Sequence, residues 1–183
     1  MKKIVVFNGS PRKKGYTNQI IGEVIRGAES KGAQIKVFNL DDEGIKGCQG
    51  CLYCRENAGC ARKDALQPMY EEIKNADGVI FGSPIYFYQI TGQAKQWLDR
   101  MFPMIDGDFK PRFPGKKIVT VYAQGNPDKT LFESAIQTTN NFFEMFGWNL
   151  INSLLCYGAN QPDFTVDARL LEEACHAGEA LAD

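Results

Sequence analysis

The sequence predicts an α/β fold in which a five-stranded parallel sheet is covered by helices on both faces. Three observations carry that expectation. Short β-branched runs alternate with segments of helical periodicity along the whole chain. The first and third runs, Ile-Val-Val-Phe and Val-Ile-Phe, are almost continuously apolar, as strands buried on both sides must be. No internal repeat, low-complexity tract or linker breaks the alternation, so the 183 residues read as a single domain over 1–183.

The elements follow in order. Lys3–Asn8 opens the sheet, and a helix over Asn18–Ser30 places Ile20, Ile21, Val24, Ile25 and Ala28 at helical spacing. Gln34–Leu40 and Gln67–Asn75 are the second strand and helix, Gly78–Ser83 and Gly92–Met101 the third pair. Lys117–Ala123 is the fourth strand, and its helix over Thr130–Phe146 is stopped by Gly147. Asn149–Tyr157 and Asp167–Ala182 complete the count. For five such units the leading topology is the flavodoxin-like three-layer sandwich, strand order 2-1-3-4-5. Every strand-to-helix loop then leaves the sheet at the carboxyl ends of the strands, so the loops after the first four strands converge where such folds bind ligands. Two of the connections, Asp41–Asp64 and Phe102–Lys116, are long enough to imply a task of their own.

Composition narrows the function classes. With 21 Lys and Arg against 22 Asp and Glu the net charge is −1, which lacks the basic footprint of a general nucleic-acid binder. No apolar run approaches the ~20 residues of a membrane span, and the stretch from Met1 to Phe7 is too short for an export signal. The expectation is a cytoplasmic protein with no nucleic-acid or membrane partner. The single histidine, His176, lies on the last helix away from the loops, so no Ser–His–Asp set can be assembled. Cys156 and Cys175 fall on apolar-patterned segments and read as buried small hydrophobes. The cluster Phe142, Phe143, Met145, Phe146 and Trp148 reads as core and subunit packing.

The converging loops carry the chemistry. The first, Asn8-Gly9-Ser10-Pro11-Arg12-Lys13-Lys14-Gly15-Tyr16-Thr17-Asn18, can aim backbone N–H groups and a helix N-terminus at one anion. Ser10, Thr17 and Asn18 add short polar side chains, and Arg12 adds a charged fork for phosphate oxygens. It is neither a nucleoside-triphosphate P-loop nor a G-x-G-x-x-G turn, and a plain strand-to-helix turn capped by Ser or Thr is the competing reading. The third loop holds Pro84 and Ile85 and then three aromatics, Tyr86, Phe87 and Tyr88, which need a planar ligand, a subunit interface or the core as partner. The fourth contributes Gln124 and Gly125.

At these residues the chain resembles the NAD(P)H-dependent FMN reductases. The resemblance rests on Gly-Ser-Pro-Arg-x-x-Gly-x-Thr at Gly9–Thr17, Ser-Pro-x-Tyr…Gly-x-x-Lys…Asp-Arg from Ser83 to Arg100, and Gln-Gly-x-Pro at Gln124–Pro127; it extends from residue 1 to about 150. It implies that Ser10, Arg12, Thr17 and Asn18 hold the FMN phosphate. Pro84, Ile85, Tyr86 and Phe87 then lie along the isoalloxazine, and Gln124 and Gly125 close its far side. Lys95, Asp99 and Arg100 read as a structural helix face.

The second loop holds Cys48, Cys51, Cys54 and Cys60 in the spacing C-x2-C-x2-C-x5-C, eased by Gly47, Gly50 and Gly59. It lacks the two separated knuckles of a structural zinc site and the C-x3-C-P ending of a ferredoxin run, so all four sulfurs can wrap one cubane. Free thiols, a disulfide pair and zinc are the other readings of the same residues. The arrangement is similar to that of the iron–sulfur flavoproteins, which implies a 4Fe–4S cluster beside FMN. Taken together, the resemblance implies an FMN-dependent oxidoreductase that passes electrons from NADH, NADPH or an iron–sulfur donor to a quinone, flavin, metal or protein acceptor. It also implies a homodimer or homotetramer. No side-chain acid or base is required for that chemistry, so no catalytic residue is assigned. The alternative is a non-enzymatic flavodoxin-like electron carrier, which the near-zero net charge disfavours.

Overall fold

The computed structural model describes residues 1–183. In chain order it comprises β1 (Lys3–Asn8), α1 (Tyr16–Ser30), β2 (Gln34–Asn39), α2 (Met69–Asn75), β3 (Gly78–Tyr86), β4 (Gln89–Ile90), α3 (Gly92–Asp99), β5 (Lys117–Ala123), α4 (Glu133–Met145), β6 (Asn149–Cys156) and α5 (Ala168–Ala182). The main sheet is ordered β2-β1-β3-β5-β6 with all neighbours parallel, which is the expected order. Because side chains alternate across a strand, each central strand feeds two cores. Val5, Phe7, Val79, Phe81 and Tyr122 face α2, α3 and α4. Ile4, Val6, Ile80, Val119 and Val121 face α1 and α5. Trp97 of α3 lies 4.5 Å from Phe7 and 5.0 Å from Phe81, ring centre to ring centre, and fixes α3 against the two middle strands. No helix is long and apolar enough to cross a membrane.

One correction concerns the strand count. The sheet has six strands rather than five, because β3 runs on through Pro84 to Tyr86 and folds back antiparallel as β4, pairing Ile85 with Ile90 and Tyr86 with Gln89. Proline is rare inside a strand, and the turning residues Phe87 (φ 47°) and Tyr88 (φ 70°) occupy positions that Asn-Gly normally fills. Both choices conceal the hairpin in the sequence. Gly147 ends α4 as expected, at φ 71°. Cys156 is buried, whereas Cys175 is only half-buried.

The α1 face also separates two kinds of glycine. Gly22 sits on the exposed side of α1 with nothing within 4 Å of where a Cβ would stand. A Gly22→Ala variant is therefore expected to raise stability by about 0.5–1 kcal/mol, read as a higher urea midpoint with an unchanged slope.

Candidate functional site

The first loop leaves β1 through Gly9, whose N–H donates to the Gly82 carbonyl (2.7 Å) and whose carbonyl accepts from Thr91 Oγ1 (2.8 Å). A Cβ at Gly9 would stand 2.8 Å from that of Ala94, so only glycine allows the loop to sit this close to α3. Beyond it the Asn8 side chain accepts from the Ser10 N–H (3.1 Å), and the Arg12 carbonyl accepts from the Gly15 N–H (2.9 Å) and from Asn18 Nδ2 (2.8 Å). The helix α1 then begins at Gly15 with no side chain capping it. The N–H groups of Tyr16, Thr17 and Asn18 find no acceptor within the chain, while Ser10 and Thr17 are buried beside them. The capped-turn reading fails on this geometry. Free donors and the positive helix end face the cleft instead.

That cleft, about 510 Å³ in volume, opens at the carboxyl edge of the sheet. Small-molecule sites typically measure roughly 300–1,000 Å³. Ser10, Arg12 and Thr17 line it from the first loop, Pro84, Ile85 and Tyr86 from the end of β3, and Gln124 and Gly125 from the loop after β5. Two expected residues are placed elsewhere. Asn18 lies under the loop, holding the Arg12 carbonyl, and does not line the cleft. Phe87 is 99% exposed at the hairpin tip, because the two left-handed turn residues carry it out beyond the sheet edge.

The structure also adds residues that the sequence reading passed over. Lys14, Gly15 and Tyr16 complete the near wall, and Ala159 and Asn160 bring in a further loop, the one after β6. The two far loops are zipped together: Gly158 N–H donates to Asn126 O (2.9 Å), Ala159 N–H to Gln124 O (3.1 Å) and Asn160 N–H to Gly125 O (3.3 Å). A Cβ at Gly125 would stand 2.2 Å from Asn160 Nδ2, so this glycine is what lets Asn160 reach the cleft. The rule that ligands gather at strand carboxyl ends, extended to the last strand, would have found Asn160. Tyr16 is steadied by its hydroxyl, which donates to the Phe164 carbonyl (3.1 Å), and by edge contact with the Phe164 ring.

Gln124 is 1% exposed, and its Nε2 donates to Asn126 O (3.1 Å) and Asp128 O (2.7 Å). Those bonds fix the amide orientation and leave Oε1 buried with no donor. A buried acceptor without a partner is costly unless a ligand supplies the donor.

None of the four sulfurs of the cysteine loop lines the cleft. All four thiols are free, Cys48 and Cys51 exposed and Cys54 and Cys60 half-buried. No three of them converge as ligands of a single ion, as a tetrahedral zinc site requires. They are nonetheless mutual neighbours: burial, and then the Cys60, Cys48 and Cys51 sulfurs, push the Cys54 thiol up. Cys51 is held down by the Tyr53 backbone N–H, the Gln49 side chain and the Arg62 charge. The Cys48 and Cys60 sulfurs accept from the Gly50 and Arg62 backbone N–H groups, both at 3.4 Å.

Arginines brace this loop. Arg112 Nη2 donates to the carbonyls of Cys54 (3.2 Å) and Arg55 (3.0 Å), and Arg55 donates to Gly107 O while its guanidinium lies over Phe109 (4.3 Å). The long Phe102–Lys116 connection thus packs against the cysteine loop. Arg55 Nη1 and Arg62 Nε are buried without an acceptor. Of the helix face read as structural, Lys95 and Asp99 form an exposed ion pair (2.6 Å), and Arg100 is buried against Asp64.

The family model for NADPH-dependent FMN reductases matches residues 2–159. An iron–sulfur flavoprotein of Methanocaldococcus jannaschii is 32% identical over 160 residues, covering 87% of this chain and 78% of that protein. One from Archaeoglobus fulgidus is 31% identical, covering 79% and 72%. Among solved structures, an NAD(P)H:quinone oxidoreductase from Methanothermobacter marburgensis superposes with a TM-score of 0.77 at 17% identity, over 98% of both chains, which shows the shared fold. The chain belongs to the NADPH-dependent FMN reductase family, as an NAD(P)H-dependent flavin oxidoreductase close to the iron–sulfur flavoproteins.

Proposed function

We propose that the cleft at the carboxyl edge holds FMN, that the four cysteines hold a 4Fe–4S cluster, and that the protein passes electrons from NADH or NADPH to a quinone, flavin, metal or protein acceptor. The observation that carries the reading is the pair of unmet hydrogen-bonding needs in the cleft: free N–H donors at the start of α1 and the orphaned Gln124 Oε1 across from them. FMN matches both, with a phosphate for the donors and a ring N–H for the acceptor. When bound, FMN supplies the hydride and electron chemistry.

The chain's own residues then bind and orient. The Tyr16 and Thr17 N–H groups and Arg12 hold the phosphate, with the Ser10 and Thr17 side chains beside it. Pro84, Ile85 and Tyr86 form one wall of the ring site, and Gln124, Gly125 and Asn160 close the other. Arg12→Ala is expected to weaken FMN binding by about 1–3 kcal/mol, roughly a 5- to 150-fold rise in Kd by fluorescence titration; an unchanged Kd removes Arg12 from the site.

The cysteine loop fits an anionic cluster by the chemistry of its donor set. Four thiols lie within 13 residues, three of them already take hydrogen bonds, and two buried guanidinium N–H groups face no acceptor. A cubane separates its four sulfurs more widely than a single ion does, which suits thiols that are neighbours without converging on one point. The helix α3 links the two sites. Thr91 at its start holds the first loop and Arg100 at its end holds the cysteine loop, about 14 Å of helix apart. A homo-oligomer belongs to the same reading, supported by the exposed Phe87 and Tyr88 beside the cleft, apolar material that a second copy can cover.

The test is an absorbance spectrum of protein prepared without oxygen, with FMN, iron and sulfide quantified, followed by anaerobic addition of NADH or NADPH. Rapid bleaching of the flavin supports the reductase. Reduction only by a ferredoxin-like donor would favour a carrier, and a preparation that takes up no FMN would remove the reading altogether.

A further inference from the structure

The flavin cleft is charged with one sign only. Of the residues that line it, Arg12 and Lys14 are cations and none is an acid. The chain as a whole carries a net charge of −1, so this sign is local to the site. No acidic residue precedes Glu23, and Arg12, Lys13 and Lys14 form no ion pair with any carboxylate of the chain. All three are exposed, on the loop that enters α1 through Gly15. Three adjacent like charges repel one another, and a bound anion is what relieves them.

FMN does not use all of this charge. A phosphate monoester carries about −1.5 to −2 at neutral pH. Against it stand the Arg12 fork, with one positive charge, and the start of α1, equivalent to about +0.5. The Tyr16 and Thr17 N–H groups and the Ser10 and Thr17 hydroxyls serve the phosphate oxygens without calling on either lysine. The phosphate is then close to neutralised, and Lys13 and Lys14 are left over on the same loop. The ligand that visits the flavin in each turnover is the nicotinamide donor. NADH and NADPH are alike except at the adenosine 2′ position, where NADPH bears a further phosphate monoester of about −2. A lysine ammonium, with three rotatable donors on a flexible stem, suits a phosphate that arrives and leaves with every turnover.

We infer that Lys14, with Lys13 beside it, is a specificity-determining residue of the cleft: it receives the 2′-phosphate and makes NADPH the preferred donor over NADH. This rests on the reading that FMN fills the cleft with its phosphate at the start of α1. The selection is electrostatic and made at exposed side chains, so it weakens as salt is raised.

The experiment uses FMN-loaded wild type, Lys14→Gln, Lys14→Arg and the double variant Lys13→Gln/Lys14→Gln. FMN is measured per chain, and each protein is titrated by calorimetry with 2′,5′-ADP and with 5′-AMP, which differ only in the 2′-phosphate. Wild type is expected to bind 2′,5′-ADP about tenfold more tightly than 5′-AMP at low salt, with the gap narrowing at high salt. Lys14→Gln is expected to lose about fivefold in affinity for 2′,5′-ADP and little for 5′-AMP, as suits one exposed charge pair. The double variant is expected to lose the gap, and Lys14→Arg to keep it. In steady-state assays of Lys14→Gln, the KM for NADPH should rise about fivefold more than that for NADH. Equal affinities of the two nucleotides for wild type, or a gap that survives in the double variant, overturn the inference while bound FMN leaves the cleft reading standing. A Lys14→Gln protein that no longer takes up FMN also overturns it, by assigning the lysine to the FMN phosphate. Wild type that takes up no FMN overturns both, and is recognised before any nucleotide is added.

Discussion

A Gly178→Val variant is expected to lose at least about 3 kcal/mol of stability and to be recovered largely unfolded or aggregated. Helices α1 and α5 cross so closely that a Cβ at Gly178 would stand 1.9 Å from the Val24 carbonyl oxygen, and one at Gly27 1.9 Å from the Cys175 carbonyl oxygen. Both obstacles are backbone, which cannot rotate away as a side chain can. Relief requires the helices to separate, and that opens the face holding Ile20, Val24, Ala174 and Leu181. Overpacking a core by a few methyl groups costs about 1–3 kcal/mol, and a forced helix shift adds the loss of packing behind it. Urea unfolding followed by far-ultraviolet circular dichroism checks this, and a midpoint equal to wild type would show that the crossing is looser than described. Gly22 on the open side of α1 provides the internal control, since there the same kind of change is expected to stabilise.

Arg100→Met should cost about 3–5 kcal/mol, the usual penalty for leaving one member of a buried ion pair alone. Asp64 would keep its two backbone donors but lose both guanidinium contacts. The same pair predicts a pH dependence. Burial acts to raise the Asp64 carboxyl, but hydrogen bonds from Arg100 and the Lys46 N–H, together with the Arg100 charge, outweigh it and hold the carboxyl below the usual carboxylate range. A carboxyl depressed in the folded state binds its proton less readily there than in the unfolded chain. Its stabilisation is therefore fully present above the unfolded value near about 4 and is lost as pH falls through the lower folded value. Stability curves from pH 7 to pH 3 should accordingly drop in wild type below about pH 4, with the Asp64 share of that drop missing in Asp64→Asn. An equal acid slope in both proteins would show that the pair is not the source.

Different residues of the site were legible to different degrees. Ser10, Arg12 and Thr17 were readable because a strand, a glycine-bearing bend and a helix start in immediate succession have one geometric outcome. Pro84 to Tyr86 and Gln124 with Gly125 followed from the parallel topology, which sends their loops to a common edge. Asn18 and Phe87 were not readable, because proximity in sequence does not fix which way a side chain leaves its backbone. A helix rotates each successive residue by about 100°, which carries Asn18 beneath the loop, and the left-handed turn throws Phe87 outward. Asn160 was missed for the opposite reason: it lies far along the chain and reaches the cleft only because Gly125 leaves room for it.

The hydrophobic alternation by itself determined the layers, the parallel sheet, its strand order and the edge at which the loops gather, since each follows from local periodicity and the short, right-handed connections that chains permit. The spacing of the cysteines likewise marked one loop as special. Only the tertiary structure decided that β3 turns back into a hairpin, that α1 begins uncapped, and that Gln124 is left with an unmet acceptor. It also decided that Arg100 closes the neck of the cysteine loop from 36 residues away. The Arg100–Asp64 pair depends on distant segments packing, whereas the hairpin, the uncapped helix start and the Gln124 amide depend on which way nearby backbone and side chains turn, and hydrophobic periodicity carries neither kind of information.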